Sequence, residues 1–228
     1  MTKLLEKLTL KENKIMNVTF DDLGDQILRI ISQFLDGKSY LNLRLTFTFC
    51  IILELTNNND LLKILVTKWL NDENDVINRI GHISGWDVSY ITNMSDLFKG
   101  AESFNKDISN WNVSNVTNME RMFCCAVSFN QQLNDWNVSN VTNMKSMFFR
   151  AKSFNQPLNE WVVSNVTNMN YMFCYAESFN QPLNKWDVSN VTNMSSMFFL
   201  TESFNQSLNK WNISNVRNIS DISHIFYG

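Results

Sequence analysis

Residues able to do chemistry are few in this chain and are not grouped. Its 228 residues include two histidines, His82 and His224, and four cysteines, Cys50, Cys124, Cys125 and Cys174. A zinc site needs closely spaced Cys and His ligands, and a Ser-His-Asp relay needs a base beside its nucleophile. No C-x-x-C pair occurs, and no cysteine or carboxylate recurs beside either histidine. Both histidines therefore read as surface or capping residues. The six glycines form neither a GxGxxG nor a GxxxxGK[ST] phosphate cradle. The expectation is a protein that is not an enzyme, with no catalytic residue, no metal ligand set and no cofactor.

What the sequence does carry is a period. Trp86, Trp111, Trp136, Trp161, Trp186 and Trp211 follow one another at intervals of 25 residues. So constant a spacing marks one supersecondary unit stacked on copies of itself. In the unit that starts at Trp111, the apolar places are Trp111, Val113, Val116, Met119, Met122, Phe123, Ala126, Phe129 and Leu133. Trp111 and Val113 alternate as in a short strand, while Met119, Met122, Phe123 and Ala126 fall at helical spacing. Thr117 or Asn118 would cap that helix. The expected fold class is an α/β solenoid of six 25-residue turns, each a short strand plus a short helix. Atypical residues at the ends, such as Tyr90, Ile91, Leu97, Arg217 and Ile219, read as capping units. Cys124 and Cys174 hold the same place two turns apart, roughly 10 Å at ~4.8 Å per turn. A disulfide spans at most about 7 Å between Cα atoms, so reduced thiols filling a core are expected.

Polar columns recur with the same period. Asn93, Asn118, Asn143, Asn168, Asn193 and Asn218 form one, and Asn105, Asn130, Asn155, Asn180 and Asn205 another. Stacked amides can bond along the axis and satisfy loop backbone groups. The same asparagine-rich wording creates Asn-x-Ser/Thr sequons, as at Asn115 and Asn140, which with no export signal are read as a by-product of the repeat. Residues flanking each Trp vary, and strand alternation would point them outward. Asn110, Asp135, Glu160, Lys185 and Lys210 precede it, while Asn112, Asn137, Val162, Asp187 and Asn212 follow it. These ten are the target-binding candidates, their acidic-to-basic change along the axis setting orientation. The alternative is that they are solvated filler.

The unit VTNMxxMFxxAxSFNQxLNxWxVSN resembles the repeats of BspA-like surface proteins, and mycoplasma-type repeats of unknown function more closely still. That resemblance covers residues 86–218 and implies a leucine-rich-repeat-like turn used as a general recognition surface.

Residues 19–80 lack the period. Helical stripes run over Ile27–Leu35, Leu41–Leu55 and Leu61–Leu70, with a short fourth near Val76–Ile80, giving a small all-α head. The segment DDLGDQILRIISQFLDGKSYLNLRLTFTF resembles an F-box, with Leu23, Asp25, Ile27, Ile31, Phe34, Leu35, Asp36, Leu41, Leu43, Arg44 and Leu45 in matching places. Gly24 stands where that family has Pro, and Thr46-Phe47 replaces its Val-Cys. The resemblance implies docking to a Skp1-type adaptor of a cullin ubiquitin ligase, with Leu23, Ile27, Ile31, Phe34, Leu35, Leu41 and Leu43 as adaptor-binding candidates. The repeats would then select an unknown protein target. A plain helical cap needs the same stripes and is the alternative. The chain thus reads as a tail (1–18), an F-box-like segment (19–60), a connecting helix or cap (61–80) and the array (81–228).

Whole-chain charge fits a protein-binding role. Residues 1–80 carry 10 Lys+Arg against 11 Asp+Glu and the remainder 9 against 11, so no basic footprint for nucleic acid exists. The N-terminus shows no continuous apolar region, and no stretch approaches the ~20 residues that cross a bilayer. No nucleic-acid or membrane partner is expected, and the compartment expected is the cytoplasm. The Asn-, Ile- and Lys-rich wording fits an AT-rich genome, large DNA viruses of eukaryotes among the sources, in which case it is the host cytoplasm.

Overall fold

A computed structural model of the chain describes residues 59–217, all within the second of the two units into which the chain divides, Ile52–Gly228. The described part opens with α1, Asn59–Asn71, whose Leu62, Leu65, Val66 and Trp69 form one buried stripe. Asp72 caps α2, Glu73–Ile80, by accepting from the Asp75 N–H at 3.0 Å. Gly81, at φ +86°, closes α2 with its N–H on the Ile77 carbonyl. A 3-10 turn, Ile83–Gly85, then leads to Trp86.

From Trp86 on, each 25-residue unit is one turn of a stack. Parallel bridges join Asn93 to Asn118, Asn118 to Asn143, Asn143 to Asn168 and Asn168 to Asn193. The nine apolar places of the turn that starts at Trp111 are all buried. Their rings stack turn on turn: Phe98, Phe123, Phe148, Phe173 and Phe198 lie 5.5–5.6 Å apart, nearly parallel. A second column, Phe104 to Phe204, runs beside it at 5.8–6.0 Å. From Trp111 to Trp211 each repeat Trp indole also donates to the carbonyl 28 residues back, as Trp161 does to Leu133 at 2.8 Å.

Two local expectations differ from the structure. Trp111–Val113 is not a strand. The Val116 N–H folds back onto the Val113 carbonyl, and the link to the neighbouring turn is made by a side chain, Asn115 Nδ2 donating to the Ser89 carbonyl at 2.7 Å. Nor is Met119–Ala126 a helix. Arg121 and Cys125 sit at φ +54° and +59°, so the right-handed path breaks every four residues. Tight turns of that length place residues three and four apart on the same side, which mimics helical spacing.

The hydrogen bonds of this segment account for every backbone donor. The N–H groups of Met119, Arg121, Phe123 and Cys125 reach the carbonyls of Asn143, Lys145, Met147 and Phe149 in the next turn. Those of Met122, Cys124 and Ala126 bond three residues back, and that of Glu120 is taken by the Asn118 side chain at 3.0 Å. An alternating local and axial ladder therefore satisfies the buried backbone that a helix would have satisfied internally.

The first turn has no turn before it, and α1 supplies the substitute. Inside the stack, the Thr92 carbonyl accepts from the N–H groups of Thr117 and Asn118 at 2.8 and 3.4 Å. At the end, Asn59 Oδ1 accepts from those of Thr92 and Asn93 at 3.1 and 3.0 Å. One side-chain amide takes the place of a missing backbone carbonyl.

Candidate recognition surface

All ten Trp-flanking candidates described from sequence are exposed: Asn110, Asn112, Asp135, Asn137, Glu160, Val162, Lys185, Asp187, Lys210 and Asn212. Several already have local work. The side chains of Asn112, Asn137, Asp187 and Asn212 each accept from the backbone N–H two residues on, at 3.0–3.2 Å, and so close the turn after Trp. Those bonds from Ser189 lower the pKa of Asp187. Lys185 is ion-paired with Glu160 of the turn before it. The acidic-to-basic change along this row is partly neutralised within the row itself. Val162, 56% exposed, is the one residue after Trp that offers no acceptor.

A different face carries the side chains that change most from turn to turn. It is built from the ninth, tenth, thirteenth and fourteenth places after each Trp, within the ladder segment. The tenth and fourteenth places are left-handed in every described turn: Asp96 and Gly100, Arg121 and Cys125, Ser146 and Arg150, Tyr171 and Tyr175, Ser196 and Leu200. Gly100 is the only glycine among them. The N–H groups here are held by main-chain carbonyls, as for Arg121, Arg150 and Tyr175, so the ladder's bonds do not depend on which side chain stands at the place.

Along the axis this face changes character. Its early turns carry a charge network: Arg121 Nη2 donates to Asp96 Oδ2 at 3.0 Å, Nε lies 2.9 Å from Oδ1, and Lys145 sits 3.3 Å from Glu120. Its later turns are aromatic. Phe149 meets Tyr171 and Tyr175 edge-on at 6.4 and 5.9 Å, and Tyr175 meets Phe199 at 5.8 Å. Tyr171 and Leu200 are 40% and 48% exposed. Sequence reasoning passed over these residues because their segment reads as a helix. The available signal was that apolar residues appear at places outside the buried stripe.

The family described as "Mycoplasma protein of unknown function, DUF285" matches this chain over residues 68–176 and 157–227. Together these spans cover the whole stack. The chain belongs to the DUF285 family. Neither a curated protein nor a solved structure matches it. The DUF285 repeat here is the turn defined by the Trp column and the axial ladder.

Within the DUF285 turns, the sequon asparagines are structural. Asn115, Asn140, Asn165 and Asn190 each donate Nδ2 to a serine carbonyl of the preceding turn at 2.7 Å, and Asn215, which Val216-Arg217 follow so that it is no sequon, makes the same bond. The column at Asn105, Asn130, Asn155 and Asn180 accepts from backbone and Gln side chains one turn on. Cys124 and Cys174 are buried free thiols, and burial pushes them up to about 12 and about 11 respectively. Cys125 is partly exposed, its Sγ 3.8 Å from that of Cys124. His82 is exposed and caps the 3-10 turn, accepting from the Ser84 N–H at 3.2 Å. Among the described residues no three His, Cys, Asp or Glu side chains cluster as metal ligands, and no helix is long and apolar enough to cross a membrane. The adaptor-binding candidates Leu23, Ile27, Ile31, Phe34, Leu35, Leu41 and Leu43 lie outside the described residues, as do Cys50, Asn218 and His224.

Proposed function

We propose that this chain is a non-catalytic protein-recognition protein of the cytoplasm, a solenoid whose variable face at residues 145–200 reads a protein target. The observation behind this reading is the division between columns. Trp, Thr and Asn side chains repeat from turn to turn and bond to neighbouring backbone, while the face bearing Phe149, Arg150, Tyr171, Tyr175 and Leu200 varies and exposes aromatic surface. Exposed clusters of this kind mark protein interaction sites, and Tyr and Arg are enriched at binding hot spots. The test is site-specific photo-crosslinking of the full chain in eukaryotic cells. A benzophenone placed at Tyr171 or Leu200 is expected to yield discrete protein adducts that the same group at Asn115 or Asn165 does not. Indistinguishable patterns from the two columns would sink the reading.

A second reading makes the target a substrate for ubiquitination, with residues 19–60 docking a Skp1-type adaptor. The motif around Leu23, Ile27, Phe34-Leu35-Asp36 and Leu41-x-Leu43-Arg44-Leu45 supports it. Co-purification of such an adaptor with the full chain, lost when Leu23 and Ile27 become aspartate, is the expected result. No adaptor with the intact chain would leave recognition alone.

A further inference from the structure

Arg150 is held unlike the other basic side chains of the variable face. Arg121 pairs with Asp96, Lys145 with Glu120, and Lys99 lies 3.7 Å from Asp96. Arg150 has no carboxylate within ion-pair distance among the described residues. Its guanidinium carbon instead lies 5.4 Å from the Phe149 ring centroid and 5.2 Å from that of Tyr175. Rings so placed attract the cation and fix its plane, which lowers the entropy lost when its N–H fork engages a ligand. The side chain is nevertheless exposed. Arg150, Tyr175 and Leu200 occupy the same left-handed place in three consecutive turns, so cation, phenol and aliphatic surface form one strip.

A partner that covered this strip would take the guanidinium out of water. An unpaired buried charge is costly, so such a partner must bring its own acceptor. Among the described residues the carboxylates on this face, Asp96 and Glu120, are already engaged by Arg121 and Lys145. Planar guanidinium matches carboxylate bidentately. Resting on the recognition reading above, we propose that this strip docks an acidic protein segment. An Asp or Glu of that segment accepts the Arg150 fork, and an adjoining apolar side chain packs on Tyr175 and Leu200.

Random twelve-residue peptides displayed on phage and selected on the full chain test this. The selected peptides are expected to place Asp or Glu beside an aliphatic or aromatic residue. In fluorescence anisotropy, Arg150→Glu should weaken them at least tenfold, Tyr175→Ala roughly fivefold and Arg150→Lys less than Arg150→Glu, with thermal transitions unchanged. Lys210→Glu, a charge reversal outside the strip, should leave binding as it was. Peptides without acidic residues, or peptides that tolerate Arg150→Glu but not Lys210→Glu, overturn this site and leave recognition standing. A chain that sediments as a dimer dissolved by Arg150→Glu also overturns it, the occupant then being a second copy. No binder to the intact chain overturns this proposal and the recognition reading together.

Discussion

Changing Asn59 to alanine tests whether a single amide stands in for a missing turn. Its Oδ1 accepts from Thr92 and Asn93 at 3.1 and 3.0 Å, and its Nδ2 donates to Thr92 Oγ1 at 3.3 Å. Intramolecular hydrogen bonds contribute about 1 kcal/mol each, less where solvent competes. The bond to Asn93 is partly buried and the two to Thr92 are exposed, so the gross loss is roughly 2 kcal/mol. Alanine is the better helix former by roughly 0.5 kcal/mol, which leaves a net loss of about 1.5 kcal/mol. For a chain of this size that lowers the thermal midpoint by roughly 3–6 °C. Asn59→Asp keeps the acceptor oxygen and should lose less than half as much. Differential scanning calorimetry measures both, and hydrogen exchange should show lost protection at the Thr92 and Asn93 amides in the alanine variant alone. An alanine variant as stable as the original, or an aspartate variant as weak as the alanine one, refutes the substitution argument.

Three further outcomes follow from the same geometry. Iodoacetamide at pH 8 should alkylate Cys125 well before Cys124 and Cys174, whose thiols burial holds at about 12 and about 11; equal labelling of all three by mass spectrometry would contradict it. Asp187 has its pKa lowered by bonds from Ser189, so its stabilisation is present above the unfolded value and lost as pH falls through the folded one. Urea midpoints should therefore drop more steeply below pH ~4 for the original chain than for Asp187→Asn, which keeps the amide cap used at Asn112; parallel curves would count against this. Ser146, at φ +54° and buried, should gain from glycine. An L-residue in that region costs about 1–2 kcal/mol and glycine returns about 0.4–1 kcal/mol in unfolded-state entropy. The net rise of roughly 0.5–1 kcal/mol shows as a higher thermal midpoint, and a lower one refutes it.

The period, the buried stripe and the helical stripes at Leu61–Leu70 and Val76–Ile80, which lie within the helices Asn59–Asn71 and Glu73–Ile80, could be read from residue types, because burial leaves a direct mark on sequence. The backbone path between buried residues could not. Met119, Met122, Phe123 and Ala126 are spaced as on a helix, yet the same spacing serves a chain that reverses at Arg121 and Cys125. Nothing about an arginine or a cysteine announces φ above +50°. Only glycine does so, and Gly100 is the sole example among ten such places. With those reversals unread, the segment passes as a helix and the candidate residues come from the Trp flanks alone. The role of Asn59 was hidden for another reason: it substitutes for a backbone carbonyl, which has no letter in a sequence.

Repetition within the chain follows from where each side chain bonds. Asn115 recurs in later turns because it donates to the carbonyl of Ser89, one turn back. In the first turn that partner does not exist within the stack, and the place is taken by Tyr90. Thr117 recurs because its hydroxyl reaches the Thr92 carbonyl at 3.2 Å. At Arg217 the backbone bond to Thr192 persists at 2.9 Å although the hydroxyl is gone. The tenth and fourteenth places, bonded through main chain, carry Asp96, Arg121, Tyr171, Cys125, Arg150 and Leu200 without disturbing the ladder. Variation there leaves the ladder's hydrogen bonds in place, and these are the places where a target can be read without altering the stack beneath.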